Sequence, residues 1–199
     1  MTPTDTAETA ETPAGAALDG RPPCSGAPSG RAATTAHPGV PAVGELAPTF
    51  VLPDQYGAEV GLADVRGAKN AVVVFYPFAF SGICTGELRA VRDGLEDFQS
   101  DDIQVFAVSC DPMFSLRTFA DAEGHFFPLL SDFWPHGAVT RAYGVLNEAD
   151  GSPLRGTFLV DRDGVLVWSE VNQPGEGRDF VAYREALGRL RSRRPATVS

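Results

Sequence analysis

The run Ala-Val-Val-Val-Phe-Tyr at residues 71–76 sets the architecture. A strand with one wet face alternates apolar and polar side chains. This run does not alternate, so it reads as a strand covered on both faces. It ends at Pro77 and leads through Phe78-Ala79-Phe80-Ser81-Gly82-Ile83 to Cys84. Leu88, Val91, Leu95 and Phe98 then recur at spacings of three and four, which predicts a helix over about 82–99. Cys84 therefore falls where a buried strand hands over to the first turn of a helix. Unpaired N–H groups and the positive end of the helix dipole favour an anion there. A cysteine so placed tends toward thiolate, its reactive form.

The other elements alternate in kind. Short strands are expected at 49–52 and 59–62, separated by a turn at Gly57. Residues 103–109 read as a second buried strand, and Pro112 suits the first turn of a helix running to about Glu123. A strand at 127–130 and a short helix at 137–143 follow. Strands at 156–160 and 165–169 flank Asp161-Arg162-Asp163-Gly164, a good hairpin connection. A last helix spans about 177–190, with Phe180, Tyr183, Leu187 and Leu190 on its apolar face. This order implies an α/β fold: a central mixed sheet flanked by helices.

Residues 1–42 consist mostly of Ala, Thr, Pro and Gly, with almost no large apolar side chains. Such a segment cannot bury enough surface to offset its ordering entropy and is expected to be a disordered tail. Residues 43–191 are expected to form one domain, of a usual size for a single core. Residues 192–199 would be a solvated C-terminus in a basic stretch that includes Arg191, Arg193 and Arg194. A net charge of −10 argues against binding nucleic acid or anionic membranes. No apolar run is long enough to span a bilayer. The first residues lack the basic patch and apolar stretch of a signal peptide, so a cytoplasmic location is expected.

Three cysteines, Cys24, Cys84 and Cys110, are too few for a disulfide framework, and no C-x-x-C pair occurs. His37, His125 and His136 have no ligand-like spacing, so no metal or other cofactor is expected. Cys24 lies in the tail without an evident partner. Cys110 follows an apolar strand and reads as inert.

Pro77, Ser81 and Cys84 match the pattern P-x-x-x-T/S-x-x-C. With it stands Arg155, in Leu154-Arg155-Gly156-Thr157-Phe158-Leu159-Val160-Asp161. On these residues the chain resembles the peroxiredoxins, thioredoxin-fold peroxidases that use a cysteine and no metal or haem. It is most similar to their one-cysteine subfamily, alkyl hydroperoxide reductase E. That likeness is carried by Arg66-Gly67-Ala68-Lys69-Asn70, Ser131-Asp132-Phe133-Trp134-Pro135-His136-Gly137-Ala138-Val139, Ala142-Tyr143-Gly144-Val145 and Gln173-Pro174-Gly175-Glu176. One departure is Ser81, at a position usually held by threonine. Its hydroxyl has the same hydrogen-bonding capacity but lacks the methyl that restricts χ1.

The resemblance implies a thioredoxin-like fold and a thiol-specific peroxidase acting on hydrogen peroxide, organic hydroperoxides or peroxynitrite. Cys84 would be the peroxidatic nucleophile and Arg155 its cationic partner. Ser81 would position the peroxide, and Pro77 would shield the sulfur. Glu87 would hold Arg155 through an ion pair, although a first-turn acid favoured by the helix dipole accounts equally well for it. The product, a sulfenic acid, needs a second thiol. Position 89, where some relatives carry that thiol, is Arg89. Cys110, Cys24 and an outside thiol remain, and the resemblance implies an outside one: a mycothiol–mycoredoxin system or a thioredoxin. It also implies a homodimer. Two rival readings use the same fold: a thiol–disulfide oxidoreductase, disfavoured without C-x-x-C, and a non-catalytic binding or holdase protein.

Overall fold

A computed structural model describes residues 38–96, 102–172 and 176–192. The expected N-terminal tail lies outside these up to residue 37, as do 193–199 at the other end. The described elements in chain order are β1 (Val51–Pro53), β2 (Glu59–Gly61), β3 (Asn70–Phe75), α1 (Gly82–Glu96), β4 (Ile103–Ser109), α2 (Met113–Glu123), β5 (Leu129–Ser131), α3 (Ala138–Ala142), β6 (Leu146–Asn147), β7 (Ser152–Pro153), β8 (Arg155–Val160), β9 (Leu166–Asn172) and α4 (Phe180–Ser192). A 3-10 turn at Leu62–Asp64 follows β2.

The main sheet has the order β5-β4-β3-β8-β9. The apolar run β3 takes its centre, parallel to β4 and antiparallel to β8, and all six of its residues are buried. Its side chains divide by parity, as a period of two requires. Val72 and Val74 join a core with Leu88 and Val91 of α1, Leu116 and Phe119 of α2, and Tyr183 and Leu187 of α4. Val73 and Phe75 point into a second core with Phe50, Phe106, Tyr143 and Phe158. In that core the Phe75 and Tyr143 rings lie 5.0 Å apart, and Tyr143 and Phe158 4.9 Å. Each fully buried large side chain contributes about 1.5–3 kcal/mol. The mixed sheet between helices is the expected α/β, thioredoxin-like architecture. Val40, ahead of the expected domain start, packs against the second core.

Details differ from the sequence reading at element ends. Pro112 caps α2 in an extended conformation, with ψ of 146°, rather than occupying its first turn. β9 continues three residues beyond Ser169, because Val171 and Asn172 pair with Gly156 and Arg155. That extension draws Arg155 into the sheet. The small hairpin β6–β7, not foreseen, places its turn beside the start of β8.

Candidate active site

Cys84 is the third residue of α1 and is wholly buried. The Thr85 N–H donates to the Ser81 carbonyl at 2.9 Å, closing the first helical turn around the cysteine. β3 delivers the loop and α1 receives it, so the sulfur sits over the C-terminal edge of the sheet's central strand. Arg155 reaches the same point from the neighbouring strand β8. One of its terminal nitrogens donates to Cys84 Sγ at 3.7 Å.

Glu87 lies one turn after Cys84 and is buried. Its Oε2 pairs with Arg155 Nε at 3.3 Å. The same carboxylate is held by a second arginine that sequence reading did not single out. Arg178 Nη1 pairs with Glu87 Oε2, and the Arg178 backbone N–H donates to Oε1 at 3.1 Å. Arg178 further donates from Nε to Thr157 Oγ1 at 3.0 Å and from Nη2 to the Phe75 carbonyl. Burial pulls the Arg178 guanidinium below its ordinary range, and the charges of Glu87 and then Cys84 oppose that pull. Two guanidiniums and one carboxylate leave this buried set one positive charge in excess. A thiolate on Cys84 would balance it.

Arg178 gave no local signal. It stands in the charged stretch Glu176-Gly177-Arg178-Asp179, and its partner Glu87 is 91 residues away. Only the approach of the segment before α4 to the start of α1 identifies it.

The loop before Cys84 forms one wall of a cavity of about 350 Å³. Pro77, Phe78, Ser81 and Ile83 line that side; the β6–β7 turn, Leu154 and Arg155 line the other. Ser81 Oγ is shielded from solvent and has no hydrogen-bond partner among the described residues. Ser81 itself lines that cavity, so a small movement of the loop would present the hydroxyl to a molecule entering it. All five residues singled out from sequence (Pro77, Ser81, Cys84, Glu87 and Arg155) converge here or on the ion cluster beneath.

Cys110 differs in every respect. It is half-buried, and its Sγ lies 4.0 Å from Thr140 Oγ1. Burial, reinforced by the charge of Asp132, pushes its thiol up to about 11, which disfavours the thiolate at neutral pH. Among the described residues no group of three His, Cys, Asp or Glu side chains is placed to hold a metal ion. No described helix is long and apolar enough to cross a membrane.

A buried cysteine beside an arginine, on a strand-to-helix junction of a thioredoxin-like sheet, defines the class: a thiol peroxidase. The sequence profile of the AhpC/TSA family matches residues 43–169. Alkyl hydroperoxide reductase E of Mycobacterium tuberculosis is 51% identical over 148 residues, covering 74% of this chain and 97% of that protein. Alkyl hydroperoxide reductase C of Staphylococcus aureus is 38% identical over 130 residues, covering 63% and 67% of the two chains. Among solved structures, peroxidoxin BcpB from Mycobacterium tuberculosis aligns with a TM-score of 0.66 at 31% identity, over 77% of this chain and 98% of that one. The chain belongs to the AhpC/TSA family, as a peroxiredoxin of the alkyl hydroperoxide reductase E type.

Proposed function

We propose that Cys84 is the peroxidatic nucleophile of a peroxidase that detoxifies hydrogen peroxide and organic hydroperoxides, and also peroxynitrite. The observation that carries this assignment is the donation from Arg155 to the Cys84 sulfur at 3.7 Å, beneath a cavity open to small molecules.

The Cys84 thiolate attacks one peroxide oxygen. An S–O bond forms as the O–O bond breaks, sulfur is oxidised by two electrons, and the departing alkoxide or hydroxide takes up a proton to leave as alcohol or water; from peroxynitrite the departing group is nitrite. Arg155 presents a rigid fork of donors, one to sulfur and others to the charge growing on the departing oxygen. Glu87, itself held by Arg178, pairs with Arg155 and so sets the orientation of that fork before substrate arrives. The free Ser81 hydroxyl positions the peroxide, and Pro77 keeps water from the sulfur.

The product is Cys84 sulfenic acid. An external thiol condenses with it to a mixed disulfide and water, and a second thiol then releases Cys84. Mycothiol with mycoredoxin, or a thioredoxin, fills this role. Cys110, held as a thiol near Thr140, does not resolve the intermediate, and the same fact disfavours dithiol exchange chemistry. The enzyme works in the cytoplasm through its folded domain, with the segment before Val40 dispensable, and forms a homodimer. Exposed Phe78, Phe80, Phe114 and Trp134 favour burial against a second copy.

Arg155→Lys tests the mechanism. A lysine keeps the charge but not the fork. The rate of peroxide reduction by stopped flow should fall by ~10²–10³, the usual effect of losing one such donor. A variant close to wild type would place Arg155 outside the reaction.

A further inference from the structure

The loop that carries Pro77, Ser81 and Cys84 contains a strained residue. Phe80 has a φ of 63°, in the left-handed region that a bulky residue rarely adopts. Such a conformation persists only where neighbours over-determine it. Two contacts do so. The Phe80 ring, itself half out in solvent, meets Phe119 of α2 edge-on at 5.0 Å. The preceding residue is tied more firmly: the Ala79 N–H donates to Asp111 Oδ2 at 2.8 Å.

Asp111 stands just beyond β4 and is itself anchored. The Ser109 hydroxyl donates to the same Oδ2 at 2.9 Å, and the Asp111 N–H approaches Ser109 Oγ at 3.3 Å. The Asp111 carbonyl accepts from Ser131 Oγ of β5 at 2.7 Å. Asp111 is therefore fixed to the ends of two paired strands, by its carboxylate to Ser109 and by its carbonyl to Ser131, and the carboxylate reaches across to the loop. Its hydrogen bond to the Ala79 amide is charge-assisted, the stronger kind.

We propose that Asp111 is a positioning residue that latches the Cys84 loop. By holding the Ala79 amide it fixes the strained turn at Phe80, and with it the placement of Ser81 and Cys84 against Arg155. It touches neither the sulfur nor the peroxide. This rests on Cys84 being the nucleophile.

The latch predicts two effects of opposite sign. In Asp111→Ala the loop opens more often, so peroxide oxidation of Cys84 should slow by about tenfold or more, the effect of losing a hydrogen bond to a charged group. Alkylation of the buried Cys84 by a bulky maleimide should become faster, because the loop no longer shields it. Exchange of the Ala79 amide, read by hydrogen–deuterium exchange, should accelerate by a similar factor. Asp111→Asn retains an acceptor for that amide and should recover most of the oxidation rate and the protection. Unchanged oxidation and exchange in Asp111→Ala would overturn the proposal. Where Asp111→Ala fails to fold, rapid exchange of the Ala79 amide in the wild-type protein, or Asp111→Asn behaving as a complete knockout, would overturn it equally. The wild-type control separates the two ideas. Absence of peroxide oxidation at wild-type Cys84 would refute the nucleophile, while Ala79 exchange judges the latch independently.

Discussion

Cys84→Ser will consume no peroxide above background while retaining the fold. Serine matches cysteine in shape, and its hydroxyl remains an acceptor for Arg155. It does not ionise near neutral pH, and among the described residues no free base stands beside it to take its proton. Arg155 donates to that position, and the carboxylate of Glu87 in the same cluster is already held by both guanidiniums. Stopped-flow peroxide consumption checks the chemistry, and thermal melting checks the fold. Turnover comparable to wild type would move the reaction away from Cys84.

Glu87→Gln should be the most destabilising single change at the site. The carboxylate is buried, and its charge faces Arg155 at 3.3 Å and Arg178 more closely. The amide keeps the shape but leaves two guanidiniums with only the Cys84 sulfur to balance them. Removing one partner of a buried ion pair typically costs about 3–5 kcal/mol. For a domain of this size that lowers the melting temperature by roughly 6–20 °C. Differential scanning calorimetry of the reduced protein measures it. A melting temperature within a degree or two of wild type would show that the pair is solvated and does not organise Arg155. The same variant should lose peroxidase rate, because Arg155 loses the group that orients it.

The place of Cys84 was legible because its environment is contiguous in sequence. β3, the loop and α1 follow one another, so the strand-to-helix junction could be read from hydrophobic pattern alone. The burial of that strand came from the same source: the unalternating apolar run at 71–76 calls for a sheet covered on both faces. Arg155 could be read only by likeness to a motif, since nothing in its local pattern separates a buried arginine from an exposed one. Arg178 and Asp111 were not readable at all. Each acts through tertiary approach: Arg178 spans 91 residues to Glu87, and Asp111 spans 32 to Ala79. The β6–β7 hairpin escaped for another reason. Strands of two residues, one of them containing Pro153, are too short to show a period. The dual role of Glu87 was half visible: a first-turn acid was one reading of its charge, but α1 starts at Gly82 and its first turn holds no acid, and only the fold shows that Glu87 binds both arginines.

The most direct test is to treat the reduced wild-type protein with one equivalent of hydrogen peroxide, trap it with dimedone, and map the product by mass spectrometry. The account predicts a single dimedone adduct on Cys84, formed from its sulfenic acid, with Cys110 recovered as a free thiol. A dimedone adduct confined to another cysteine, or a dominant Cys84–Cys110 disulfide, would contradict it.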